Sequence, residues 1–125
     1  VRFVYRDFPL PMHPQASKAS EAAQCARDQG KFWEYHDALY ADQSKLAPAD
    51  LQATAERLGL KAEAFRTCLE SGKYAEEVSK DLADGQKAGV SSTPSFFVNG
   101  IPVTGAREYS AFAEVIDREL AGLKK

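Results

Sequence analysis

Two cysteines, Cys25 and Cys68, two histidines, His13 and His36, and the tripeptide Thr93-Pro94-Ser95 are the places where this 125-residue chain could do chemistry. A structural zinc site draws its ligands in close pairs such as Cys-x2-4-Cys or His-x3-5-His. Here the four ligand-type side chains are scattered at 13, 25, 36 and 68, so neither a metal nor another cofactor is expected. A Cys-His nucleophile pair has no better footing, because Cys25 and His36 fall on different predicted helices. Gly-rich phosphate loops, Ser-x-x-Lys pairs and His-Glu-x-x-His motifs do not occur.

The tripeptide is more informative. Proline cannot donate to a ladder, so Pro94, one step before the run Phe96, Phe97, Val98, belongs at a strand's first residue, in a loop or at an edge. An X-Pro bond is also where a cis peptide costs least. Exposed backbone beside such a proline can pair with an extended peptide as a further strand. The residues alone leave a second reading open, a turn whose proline only ends a helix and starts a strand. Asn99-Gly100 follows, then Ile101, Pro102, Val103 and Thr104, which predicts a β-hairpin with a two-residue turn.

The elements that must hold these residues are mostly helical. Val1, Phe3 and Tyr5 alternate with Arg2, Val4 and Arg6 as in a strand, which Phe8-Pro9-Leu10-Pro11 breaks. Pro14 suits a first helical turn, and Ala16, Ala19, Ala23 and Ala26 recur at three and four up to a Gly30 cap, a small-residue stripe that allows close approach. A second helix is predicted from about Lys31 to Tyr40, with Phe32, Tyr35, His36, Leu39 and Tyr40 on or near one face. An aromatic stripe at helical spacing reads first as core, and His36 as a hydrogen-bonded packing residue within it. Pro48, Leu51, Ala55, Leu58 and Gly59 mark a third helix, and Phe65, Cys68 and Leu69 a fourth ending near Ser71-Gly72. Tyr74, Val78 and Leu82 lead a fifth to Gly89, and Tyr109, Phe112, Val115, Ile116 and Leu120 give the last helix an apolar face.

Composition narrows the classes. A net charge of −2 and a pI near 5.7 leave no basic footprint for nucleic acid. No run approaches the roughly 18 apolar residues that span a bilayer, and no signal-peptide pattern is present.

Taken in order, the motifs resemble the DsbA-like branch of the thioredoxin superfamily, the thiol-disulfide oxidoreductases with a helical insertion. The resemblance runs through Tyr5-Arg6-Asp7-Phe8-Pro9-Leu10, His13-Pro14, Cys25-Ala26 and Gln29-Gly30-Lys31-Phe32-Trp33-Glu34-Tyr35-His36-Asp37. It continues through Gly59-Leu60, Cys68-Leu69, Ser71-Gly72-Lys73-Tyr74-Ala75, Gly89-Val90, Thr93-Pro94-Ser95-Phe96-Phe97-Val98-Asn99-Gly100 and Gly105-Ala106. It implies an α/β, thioredoxin-like fold, mostly helical with a small mixed sheet, in one domain over 1–125. Within it a helical insertion occupies about 14–89, and a hairpin plus helix about 94–122. It further implies that Ser92, Thr93 and Pro94 form the cis-proline loop that binds extended or unfolded polypeptide, and a periplasmic or extracytoplasmic location with an unidentified redox partner protein.

The family's Cys-x-x-Cys is absent, since the only two cysteines are Cys25 and Cys68. The resemblance places Val1–Arg6 as the strand after the catalytic helix. The chain is therefore expected to be the C-terminal portion of an oxidoreductase, inactive alone, or else a redox-inactive peptide-binding or scaffold domain. The strand missing from the middle of the sheet should be replaced by a second copy or an N-terminal fragment. An extracytoplasmic resemblance also favours a Cys25–Cys68 disulfide. Two buried free thiols, or a redox-switching pair, remain the alternatives.

Overall fold

The computed structural model describes residues 1–123, in two compact units, Val1–Asp84 and Gly85 onward. The first unit holds helices α1 (Ala16–Arg27), α2 (Phe32–Ala41), α3 (Pro48–Arg57), α4 (Ala62–Ser71) and most of α5 (Ala75–Lys87). The second holds strands β1 (Ser95–Val98) and β2 (Ile101–Thr104) and helix α6 (Tyr109–Leu123).

The first unit is built around α1. Its Ala19, Ala22, Ala23 and Ala26 are buried together with Cys25, and α2, α3 and α4 all pack on this helix. Small side chains let the neighbouring backbones come close, and the bulk of the core arrives from outside: Tyr35 from α2, Leu51 and Ala55 from α3, Phe65 and Leu69 from α4. The Tyr35 and Phe65 rings lie 5.5 Å apart, and the Tyr35 hydroxyl donates to the Leu51 carbonyl at 2.9 Å. A buried tyrosine hydroxyl needs such a partner, and here it also fixes α2 against α3.

Four helices end alike. After α1, α3, α4 and α5 the chain turns at a glycine of positive φ, and the next N–H closes back five residues: Lys31 to Ala26, Leu60 to Ala55, Lys73 to Cys68 and Val90 to Gly85. At Gly72 the φ of 68° is left-handed, a conformation a side chain would strain, and the closure satisfies a carbonyl of the last turn of α4.

Residues 1–10 enter no ladder among the described residues, although Val1, Phe3 and Tyr5 alternate as in a strand. A strand exists by pairing, and this segment is held by side chains instead. Tyr5 packs edge-on against His36 and Trp33 of α2, Phe3 against Trp33, and Arg6 pairs with Asp81 and Asp84 of α5 at 2.8 and 2.9 Å.

In the second unit β1 and β2 form a two-stranded antiparallel sheet in the register Ser95↔Thr104 to Val98↔Ile101. Asn99 and Gly100 both take positive φ, 51° and 84°, as a two-residue hairpin turn requires. The side-chain period of two puts Phe96, Val98, Ile101 and Val103 on one face, and Phe96 meets Phe112 of α6 at 4.8 Å. No described residue of this unit is fully buried.

Candidate functional site

Ser92, Thr93 and Pro94 form an exposed loop immediately before β1, and the Thr93–Pro94 peptide is cis. The Ser95 hydroxyl donates to the Ser92 carbonyl at 2.6 Å, and the Gly105 N–H to the Pro94 carbonyl at 2.9 Å. The second bond carries the hairpin ladder one step past Ser95↔Thr104 and seats the proline. By contrast, the Ser92 and Thr93 N–H groups and the Thr93 carbonyl have no backbone partner among the described residues.

Beside the loop lies a shallow groove of about 270 Å³ lined by Gly89, Val90, Ser91, Phe97 and Pro102 among others. Phe97 and Pro102 are partners in the register, on the sheet face opposite Phe96 and Phe112. The groove thus combines a flat apolar strip with a row of unpaired backbone groups, a combination suited to an extended peptide, whose main chain can pair while alternate side chains rest on the strip.

Cys25 and Cys68 are joined as a disulfide, with a Cα–Cα distance of 5.9 Å, and both are buried in the core of the first unit. They tie α1 to α4. The structure thus brings the two cysteines together in one unit and keeps Ser92, Thr93 and Pro94 together in the other. With its sulfurs buried and bonded to each other, the cysteine pair offers no accessible thiolate for exchange.

The histidines do not gather into a site, and the described residues hold no group of three or more His, Cys, Asp or Glu placed for a metal ion. His36 sits among the rings of Tyr5, Trp33 and Tyr40 at 5.1, 5.3 and 4.8 Å, and its Nδ1 lies 3.0 Å from Asp37 Oδ1. Of the α2 stripe it is Tyr35 that enters the core, whereas His36 and Tyr40 line a more exposed aromatic surface with Phe3 and Trp33. Burial, with help from Tyr40 and Asp7, holds the Tyr5 hydroxyl well above the ordinary tyrosine range. Sequence reasoning singles out neither Tyr5 nor the buried Asp7 behind it. The available signals are the alternation of Val1, Phe3 and Tyr5, which reads equally well as a strand, and the motif Tyr5-Arg6-Asp7, which gives neither residue a role of its own.

Residues 1–118 match the family model described as thioredoxin. A solved structure, a thioredoxin-like oxidoreductase from Silicibacter pomeroyi DSS-3, matches with a TM-score of 0.83 at 30% identity, over 94% of this chain and 68% of that one. Curated relatives carry a different kind of name. The Na(+)/H(+) antiporter NhaA 1 of Salinispora arenicola is 42% identical over 125 residues, which are 99% of this chain and 19% of the antiporter. The Na(+)/H(+) antiporter NhaA 3 of Salinispora tropica is 44% identical over 122 residues, and the NhaA of Herminiimonas arsenicoxydans 33% over 124. The chain spans about a fifth of the length of these relatives. No helix among the described residues is long and apolar enough to cross a membrane.

Proposed function

We propose, since this chain belongs to the DsbA-like branch of the thioredoxin superfamily, that it is the substrate-binding portion of an extracytoplasmic thiol-disulfide oxidoreductase. The observation that carries this reading is the exposed Ser92-Thr93-Pro94 loop, with its unpaired backbone beside an apolar strip. The loop aligns an extended polypeptide, and a dithiol outside these residues performs the exchange. A thiolate attacks one sulfur of a disulfide, the other sulfur leaves as thiolate, and a second thiolate resolves the mixed disulfide, so that one pair is oxidised as the other is reduced. Cys25 and Cys68 stay out of this traffic, being bonded to each other in the core.

The antiporter relatives favour a second reading, in which the same fold serves as a redox-inactive peptide-binding module attached to a membrane transporter. In both readings the loop binds peptide, and a second copy or an N-terminal fragment pairs with the free edge of the hairpin.

An NMR titration of the 15N-labelled chain with an unfolded decapeptide tests the shared part. Shifts should concentrate at Ser92, Thr93, Ser95 and Phe97 and fade in Pro94→Ala. No shift at the loop with millimolar peptide would sink both readings. An insulin-reduction assay on the intact parent protein separates them: turnover supports the oxidoreductase, and peptide binding without turnover supports the transporter module.

A further inference from the structure

Asp7 is a carboxylate in surroundings suited to the acid. Arg6 before it is exposed, yet Asp7 is only 2% exposed, held between α1 and α5. From α1, Gln24 Nε2 donates to Asp7 Oδ2 at 2.9 Å, and Ser20 favours the charged form as well. From α5, Asp81 Oδ2 accepts the Asp7 N–H at 2.9 Å, which brings one carboxylate against another, and Glu77 adds a third. Both nearby guanidinium groups are engaged elsewhere. Arg6 binds Asp81 and Asp84, and Arg27 binds Glu77 through two bonds of 3.1 and 3.2 Å. The Tyr5 hydroxyl, also close, is uncharged and cannot compensate Asp7.

Gln24 supplies an independent observation. It is 5% exposed, and while its Nε2 serves Asp7, its Oε1 has no partner among the described residues. A buried acceptor without a donor costs roughly 1–3 kcal/mol. An ionised carboxylate can only accept, so it can satisfy one end of the amide and never the other. A carboxylic acid has both a donor and an acceptor and matches an amide edge to edge.

We infer that Asp7 and Gln24 form a proton-operated latch: on protonation, Asp7 donates its O–H to Gln24 Oε1 while accepting from Nε2, which fastens the segment Val1–Pro11 to α1. The proton comes from solvent and returns to it, with no other bond made or broken. Burial, the largest influence, and the charges of Asp81 and Glu77 push the Asp7 carboxyl above its ordinary range, against the opposing pull of Gln24 and Ser20. The sign follows from linkage. A carboxyl raised by folding contributes stability that is full below its unfolded value and is lost as pH rises through its folded value. The latch therefore tightens in acid. The neighbouring Arg6–Asp84 pair runs the other way, because Lys80 first and then Arg6 hold Asp84 below its usual range, and that pair fails only on further acidification. Between the two limits the segment that carries Phe3 and Tyr5 across α2 is held most firmly.

The test is a 13C-detected carboxyl and carboxamide titration of the full chain. Asp7 Cγ should show a midpoint above the ordinary aspartic acid value of about 3.9, and Gln24 Cδ should move with the same midpoint. Exchange of the Asp7 amide, corrected for intrinsic rate, should be several-fold slower below that midpoint than above it. In Asp7→Asn the Gln24 step should vanish. An Asp7 midpoint at or below the ordinary value overturns the proposal, as does a Gln24 Cδ that stays flat while Asp7 titrates. Both are measured on the unsubstituted protein, so neither depends on how the variant folds.

Discussion

Replacing Tyr35 with Phe removes one oxygen from a fully buried ring and leaves its packing against Phe65 untouched. What is lost is the 2.9 Å bond to the Leu51 carbonyl. That carbonyl lies within α3, where the helix's own i to i−4 bond already occupies one lone pair, so it is not orphaned. The cost is then about 1 kcal/mol rather than the roughly 1–3 kcal/mol of a stranded polar group. It amounts to about a fivefold drop in the folding constant, and about 4 °C in Tm for a chain of this length. Urea unfolding followed through Trp33, the sole tryptophan, reports on the first unit alone because the residue sits on α2. An unchanged midpoint would refute the hydroxyl bond. A loss above about 3 kcal/mol would refute the claim that the helix shares that carbonyl.

The same Trp33 assay should show that Cys25→Ala with Cys68→Ala destabilises the first unit by up to about 4 kcal/mol, the chain-entropy value for a loop of 43 residues, and equal stability would contradict that role. Alkaline titration followed by tyrosinate absorbance should find Tyr5 and Tyr35 ionising above the ordinary tyrosine range, since burial, the first cause at both, raises them. Because the raised hydroxyl favours the fold only while neutral, Tyr35 should cost about 1.4 kcal/mol of stability per pH unit above about 10; a stability flat in that range would count against its burial. Gly100→Ala, at a φ of 84°, should weaken the hairpin by about 1 kcal/mol and speed amide exchange at Ile101 while leaving the Trp33 transition in place.

Helix ends are legible in the sequence because their chemistry is local. Gly30, Gly59, Gly72 and Gly89 each stand where the periodic apolar pattern stops, and each closes a helix in the structure. The hairpin is equally legible, since Asn99-Gly100 fixes both turn and register. The alanine stripe of α1 announces close packing but not its partners, which depend on how three other helices arrive. Residues 1–6 look like a paired strand and are not one, because alternation records which side chains face together and not whether the backbone finds a neighbour. Asp7 is invisible for a related reason. An aspartate after an arginine looks solvated, and only the meeting of α1 with α5 buries it beside Gln24. Of the site, the loop residues can be named from the sequence, whereas the groove beside them requires the register that sets Phe97 against Pro102.

The Cys25–Cys68 bond has a mechanical side. Its sulfurs join points whose Cα atoms lie 5.9 Å apart, while the chain between them, a sequence separation of 43 that takes in α2 and α3, has a contour of about 150 Å. Tension applied at the two ends of the chain passes across the bridge and bypasses that length altogether. Whatever load reaches this domain from a larger assembly, α2, α3 and the Tyr35–Leu51 contact remain outside the path of the force, and a stretched chain stays about 150 Å shorter until a reductant cuts the bridge.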